Sequence, residues 1–254
     1  MEKRSKTILK YVIDIVIIII GVLAAFYLTN WGNAIQKKQT EQDVIAQIYF
    51  ELQDNLSDLK NDMVIHETAL NSHIRVQEWL DDKRPYTDSL IFDFYWLTRE
   101  EYIFANTSGY ENLKTFGINL IEDEELRNLI TLVYNYSFPR LQRGQTLHPD
   151  ITEFLWPYYE AHFSTNRDTS LHFTLTLPDS IQVTYPRNIG RSILQYIGYV
   201  PLEVELLQRD PTYEMLLSEA FDYRLYKVYF YRKCIANVEQ ALAKMEEEYE
   251  LGEG

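Results

Sequence analysis

Cysteine is almost missing from this chain. Cys234 is the single thiol in 254 residues, so no disulfide can close within the chain and the fold has to be held by burial. An oxidising compartment would permit a bridge between chains, and nothing requires one; a buried structural thiol is the default for Cys234 in its helical context. Histidine is scarce too, with five residues, His66, His73, His148, His162 and His172. His66-Glu67 followed by His73 lacks the i,i+4 pair of a zinc-binding helix, and no third ligand stands nearby, so no metal site is expected. The nine glycines are scattered, which excludes a glycine-rich phosphate loop; Asn188-Ile189-Gly190-Arg191-Ser192, with its single glycine, reads as a helix start. Ser108-Gly109 lacks the Gly-x-Ser-x-Gly frame of a nucleophile elbow. Glu122, Asp123, Glu124 and Glu125 imitate a carboxylate pair, but an acidic first turn is already explained by the helix dipole. The sequence therefore offers no catalytic residue and no cofactor site.

Positive charge is the next deficit. Of 24 Lys and Arg, Lys3, Arg4, Lys6 and Lys10 lie at the very start, and of 38 Asp and Glu only Glu2 and Asp14 do, which leaves 20 cations against 36 anions after Thr29. Such a surface excludes nucleic-acid binding through phosphates and disfavours lying flat on an anionic lipid leaflet, both of which need clustered Lys and Arg. The acidic run Glu246, Glu247, Glu248, Glu250 and Glu253 reads as a solvated helix end. There is no low-complexity linker and no internal repeat.

Long apolar runs are also lacking, with one exception. The basic cluster runs into Tyr11 to Leu28 and closes on Asn30-Trp31. Eighteen helical residues reach about 27 Å, close to a hydrocarbon core of roughly 30 Å. We expect residues 1–10 to be a basic cytoplasmic tail, 11–29 a single-pass transmembrane signal-anchor, and 30–254 an extracytoplasmic helical domain. A cleaved signal peptide is the rival. Against it, Asp14 interrupts the apolar core, the run exceeds a usual h-region, and Val22-Leu23-Ala24 is followed by Ala25-Phe26-Tyr27 instead of a polar start. Four cations precede the span and only Lys37 and Lys38 follow it closely, so the N-terminus is expected in the cytoplasm and the domain on the outer side of the inner membrane, in the periplasm.

Within the span, Asp14 reads either as an interfacial carboxylate pairing with Lys10 or as a contact to another membrane helix. Gly21 and Ala25 form a small-xxx-small pair that would let a second helix approach. Asn30 and Trp31 suit an interfacial anchor.

Beyond the span, Ile45, Ile48, Leu52, Leu56, Leu59, Met63, Leu70 and Ile74 recur at helical steps, predicting a long amphipathic helix from Thr40 to about Leu80. It could extend the span as a stalk or coiled coil, although Asn55, Asn61 and a shift in the stripe near His66 break a clean heptad, and packing within a bundle fits better. Asp81 to Pro85 ends it, and Thr87 or Asp88 can cap a second helix through Leu90, Phe94 and Leu97. Residues 106–127 read as helix, glycine turn at Gly117, then a helix starting at Asp123 and ending before Pro139. An aromatic helix spans Pro149 to His162. Alternation from Leu171 to Leu177 and from Ile181 to Tyr185 predicts a small β-hairpin over about 170–186. From Asn188 the chain is expected to return to helix, with breaks at Pro201 and Pro211, and a last helix from about Thr212 to Tyr249 runs back antiparallel to the first. The fold class is thus mainly α: a transmembrane helix followed by an antiparallel helical bundle with a small β-hairpin insertion.

Two stretches resemble a family of single-pass bacterial envelope proteins known only as a domain of unknown function. One is the anchor, with Asp14, Gly21-Val22-Leu23-Ala24-Ala25 and Asn30-Trp31. The other is a Tyr-x-x-Leu-Lys-x-x-Gly-x-x-Leu-Ile block, matching Tyr110, Leu113, Lys114, Gly117, Leu120, Ile121, Glu124, Leu126 and Arg127. Gly32-Asn33 and Phe116 depart from the family pattern. The resemblance implies a helical envelope domain behind an anchor and supplies no activity. The expected function is a non-enzymatic interaction or scaffold module contacting the bilayer and a protein partner or a second copy of itself. A ligand-sensing domain working with a separate signalling partner, and a divergent envelope hydrolase, are the alternatives.

Overall fold

A computed structural model describes residues 2–142, 149–190, 193–249 and 251, with the side chains of residues 2–15 and 179 outside that description. His148 and the end of the acidic tail fall outside it as well.

Helix α1 runs without interruption over Glu2–Leu80, 79 residues. No glycine or proline occurs between Asn33 and Arg84, so nothing in the backbone chemistry breaks it there. The expected boundaries at residues 10 and 29 accordingly leave no mark on the backbone. From Val16 to Gln39 every residue is exposed; from Glu41 onward one face is buried. α1 carries a stretch long and apolar enough to cross a membrane, and none of that stretch is covered by the rest of the chain. The helix ends where Asp82 adopts a positive φ of 57°, a conformation Asp tolerates better than most residues, and Lys83 and Arg84 N–H groups close on the Glu78 carbonyl.

Short helices follow: α2 (Leu90–Leu97), α3 (Ser108–Phe116), α4 (Glu124–Leu132) and α5 (Phe138–Gln142). α2 starts after Ser89, whose side chain makes no capping bond, instead of being capped by Thr87 or Asp88. Gly117 ends α3 at φ 92°, a region where only glycine is unstrained. Asp123 caps α4 by accepting the Leu126 N–H at 2.6 Å. The helix does not stop before Pro139. A π-helical segment, Val133–Ser137, widens the ladder ahead of it, so the helix continues into α5 although the proline ring supplies no N–H. α6 (Ile151–His162) is capped by Asp150, which accepts the Glu153 N–H, and it also contains a proline, Pro157.

Among the described residues the strands form three separate antiparallel pairs: β1 (Phe163–Thr165) with β6 (Tyr199–Pro201), β2 (Phe173–Thr176) with β3 (Gln182–Tyr185), and β4 (Arg187–Gly190) with β5 (Ile193–Gln195). In the second pair Phe173 faces Tyr185 and Leu175 faces Val183. The helix expected from Asn188 is not formed: Arg187–Gly190, Ile193–Gln195 and Tyr199–Pro201 are strands, and residues 196–198 are irregular. Isolated propensity favoured neither state strongly, and strand pairing decided it. β6 pairs β1 and is locked at Gly198 (φ 120°), where an added Cβ would come within 2.6 Å of Ile91.

After α7 (Val204–Leu207), α8 (Pro211–Tyr249) returns the length of the domain. Asp210 caps it by accepting the Thr212 N–H at 2.8 Å, and Pro211 at the first position needs no N–H partner. α8 runs antiparallel to α1. Lys60 pairs with Glu239 at 2.9 Å and Arg232 with Glu67 at 2.8 Å. Nearer the apolar stretch, Tyr49 donates to Glu246 and Tyr249 to Glu41, each at 2.7 Å.

The interior is divided. A near core, closer to the apolar stretch, packs Ile45, Ile48, Leu52 and Leu59 of α1 against α3, α4, α5 and the second half of α8. A far core packs Trp79 with Phe94, Leu155, Tyr159, Phe163, Tyr213 and Leu217. A smaller cluster joins Phe92 and Trp96 to Leu175 and Ile197, seating the strands on α2.

Candidate functional site

Between the two cores lies a seam of buried polar groups. The connection from α2 to α3, residues 98–107, threads between α1 and α8 here, and its carbonyls need partners. Arg224 of α8 is buried and donates to the Leu97 carbonyl at 3.0 Å and the Arg99 carbonyl at 2.6 Å. A cation at the C-terminal end of α2 also meets the negative end of its dipole. Burial lowers the Arg224 guanidinium to about 10, so it is still charged at neutral pH.

The same guanidinium lies 3.2 Å from Nδ1 of His66, whose Nε2 lies 3.2 Å from the Glu101 carbonyl. Since arginine can only donate and a carbonyl only accept, the imidazole must be neutral with its proton on Nε2. Burial, then the charges of Arg224 and Lys227, hold His66 well below its usual range. His73, two turns on, is pushed down to about 4 by burial and by Arg224, and its ring lies 4.7 Å from Phe221.

Lys227, three residues after Arg224, forms an ion pair with Glu100, whose side chain is wholly buried. Its ammonium also sits 3.5 Å over the Tyr102 ring. Burial lowers the Lys227 ammonium, and the carboxylate against it holds the charge in place. The other Glu100 oxygen accepts the Ile151 N–H at the start of α6, at 2.5 Å, and Tyr102 donates to the capping Asp150 at 2.9 Å. Tyr231 donates to Asp62 at 3.1 Å and lies 3.2 Å from the Glu101 carbonyl. Burial raises the Asp62 carboxyl to about 6, an effect Tyr231 opposes and Glu101 and Asp58 reinforce.

These groups satisfy one another, and their chemistry is that of a joint. They pin α1, α6, α8 and the crossing segment together. Among the described residues no three His, Cys, Asp or Glu side chains converge to hold a metal ion.

The residues singled out in the sequence lie elsewhere. Gly21 and Ala25 are exposed on α1, and a Cβ on Gly21 would meet nothing within 4 Å. Asn30 and Trp31 are exposed too, Trp31 at 59%. The side chain of Asp14 lies outside the described residues. The Tyr110 to Arg127 block serves the near core: Leu113, Leu120, Ile121 and Leu126 are buried, and Arg127 donates to the Ile121 carbonyl at 3.1 Å. Tyr110 stacks on Tyr134 of the π-helical segment at 4.5 Å. Tyr134 in turn donates to Glu51 at 2.5 Å, and Glu51 accepts the Gly109 N–H at 2.6 Å. Lys114 pairs with Glu111 at the surface, and Glu124 is exposed. Cys234 is buried, and burial pushes its thiol up to about 12.

Sequence reasoning missed the seam. The available signal was two cations, Arg224 and Lys227, interrupting the apolar stripe of α8, opposite two histidines on the stripe of α1.

A second feature lies at the tip of the domain farthest from the apolar stretch. A cavity of 390 Å³ is lined by Tyr158, His162, Leu202, Glu203, Leu206 and Asp210. Tyr158 stacks on His162 at 4.0 Å and donates to Asp210 at 2.6 Å, while Leu202 and Leu206 are 60% and 64% exposed at its rim.

No family model, no curated protein and no solved structure matches this chain.

Proposed function

We propose that this chain is a single-pass, membrane-anchored, non-enzymatic protein of the cell envelope whose helical outer domain is an interaction or scaffold module. One observation carries the reading. The apolar stretch of α1 is uncovered by protein and continues, with no break, into a helix that lines the near core and reaches the far one. Uncovered side chains from Val16 to Leu28 are stable only in an apolar surround, which a bilayer supplies. The continuous helix then carries the domain as a rigid extension, about 20 Å above the span at Glu41, where burial begins. A stiff stalk of this kind suits holding a binding surface at a fixed height.

The cation count at the two ends of the span favours a cytoplasmic N-terminus and a periplasmic domain, at the inner membrane. The antiparallel bundle with its small hairpin at residues 170–186 is the scaffold, and the partner is a protein or a second copy. The resemblance to envelope proteins of unknown function is consistent with this. Affinity capture from native membranes, with a C-terminal tag and a Gly21→Leu/Ala25→Leu control, tests it. A co-purifying protein or a dimer is the expected result, and a monomer without companions would overturn it.

The tip cavity favours a second reading, a ligand-sensing domain acting through a separate signalling partner. A shift in the domain's melting temperature on adding a defined small molecule to the captured monomer would favour that reading over the first.

A further inference from the structure

The two buried histidines of α1 are served differently by the fold. His66 has both ring nitrogens engaged. His73 is 5% exposed, yet neither of its nitrogens meets a hydrogen-bond partner among the described residues. A buried polar group left in that state is costly unless something else reaches it. Unlike Trp96 Nε1 and Arg99 Nε, which are closed off completely without a partner, the His73 nitrogens keep contact with open space, and the open space at His73 is a groove.

That groove has a volume of 270 Å³ and lies between the end of α1 and the first half of α8, with Ile74 and Gln77 on one side and Ser218 and Phe221 on the other. The Phe221 ring is 4.7 Å from the imidazole, inclined at 40°, and Ile74 is 46% exposed, so apolar surface accompanies His73 on both helices. Ser218 adds a second unclaimed polar group. A helical hydroxyl commonly folds back on the carbonyl four residues before it, as Thr29, Thr40, Thr115 and Thr131 do here; Ser218 makes no such bond. The charges at the mouth are already paired. Lys83 meets Asp81 at 2.8 Å, Gln77 donates to Asp81 at 3.0 Å, and Arg84 meets Glu78 at 3.0 Å. Two cations balance two anions, which leaves nothing to select an ion. Burial and Arg224 keep His73 neutral, so it offers one N–H donor and one acceptor lone pair.

Volume sets the size of an occupant. The groove is smaller than the roughly 300–1,000 Å³ of sites for drug-sized ligands and larger than the about 150 Å³ that suffices for benzene. One substituted ring fits. An aromatic ring extends the inclined pair that Phe221 and His73 already form, a geometry aromatic groups favour.

We infer that this groove is a binding site for a small neutral phenol, whose ring lies against Phe221 and Ile74 and whose hydroxyl donates to the free nitrogen of His73. Ser218 is the further polar group available to a ring substituent. The site goes beyond the interaction-module reading and does not depend on it, and it shares no lining residue with the tip cavity.

The test uses the full chain in native membranes, 4-azidophenol as a photoreactive probe, phenol and toluene as competitors at equal free concentration, and peptide mass spectrometry to locate the label. Label is expected within residues 73–78 and 218–221, displaced by phenol. His73→Phe keeps a ring of similar size and removes the hydrogen bond, and it is expected to raise the phenol concentration for half-displacement about fivefold, the worth of one neutral hydrogen bond. Toluene should be weaker than phenol by a similar factor. Ser218→Trp, at an exposed position, fills the groove and should abolish the label there; with the toluene comparison it decides the matter if His73→Phe does not fold. Label confined to other segments, the tip cavity included, or label unchanged in Ser218→Trp, would overturn the site. Equal displacement by phenol and toluene would overturn recognition through His73.

Discussion

The near and far cores are built by different means. The near core is dominated by aliphatic side chains on helical stripes, Ile45, Ile48, Leu52 and Leu59 on α1 against Val228, Val238 and Leu242 on α8. The far core is aromatic. Phe94 lies edge-on to Trp79 at 5.7 Å, Tyr159 stacks on Phe163 at 4.3 Å, and Tyr158 on Tyr213 at 5.2 Å. Rings of that size come from four separate segments of the chain, α1, α2, the continuous α6–β1 stretch and α8, and fill the space among them. A regular bundle suffices where two long helices lie side by side, and large flat side chains are recruited where short elements meet at irregular angles.

The seam is what keeps the two apart, and removing half of one of its ion pairs should have the largest effect. Lys227→Met leaves the Glu100 carboxylate buried and uncompensated, which costs about 3–5 kcal/mol. Denaturant unfolding of the full chain in detergent measures it, and adding Glu100→Gln should recover much of the loss. Trp79→Ala should cost a similar amount, about 3–5 kcal/mol, but with a different footprint. Hydrogen exchange should accelerate in α2, α6 and the start of α8 while Ile48 and Leu52 keep their protection. Equal acceleration in both cores would mean that they unfold as one unit.

Leu113→Ala in the near core should cost about 2–4 kcal/mol, with the footprint reversed. Acidification probes the seam itself. His66 and His73 are held below their usual range in the folded protein, so the unfolded chain takes up their protons first. Stability should therefore fall as pH drops through 6.5, by at most about 1.4 kcal/mol per pH unit for each ring. Asp62 acts in the opposite sense. Its raised value of about 6 means that the folded state binds its proton first, adding stability as pH falls from about 6 towards 4. The net slope between pH 6.5 and 5 should be that of little more than one histidine, and His66→Gln should flatten it. The smallest effect is expected from the exposed Arg232 and Glu67 pair, where Arg232→Ala should change stability by less than about 1 kcal/mol.

Particular residues mark where sequence reading worked. The stripe from Ile45 to Met63 and its counterpart on α8 were visible because helical periodicity needs only local information. Gly117 and Asp123 announced their turn and cap for the same reason. Pro139 misled because a proline ends a helix only if no π-helical widening precedes it. Strands β4, β5 and β6 misled because their state depends on pairing partners, β1 for β6 above all. The seam was hidden because Arg224, Lys227 and Glu100 look like ordinary surface charges until α1 and α8 close over them.

The amino-acid sequence by itself determined the apolar stretch, the acidic balance, the two long helices and the lack of a disulfide framework, since each follows from composition or local periodicity. Only the tertiary structure decided that one helix joins the apolar stretch to both cores and that a polar joint divides them. It also decided that an exposed pair of strands and a cavity with Glu203 and Asp210 in its wall stand on the same domain. These depend on which distant segments meet, and burial, which turns a soluble-looking charge into an internal pin, exists only once they have met.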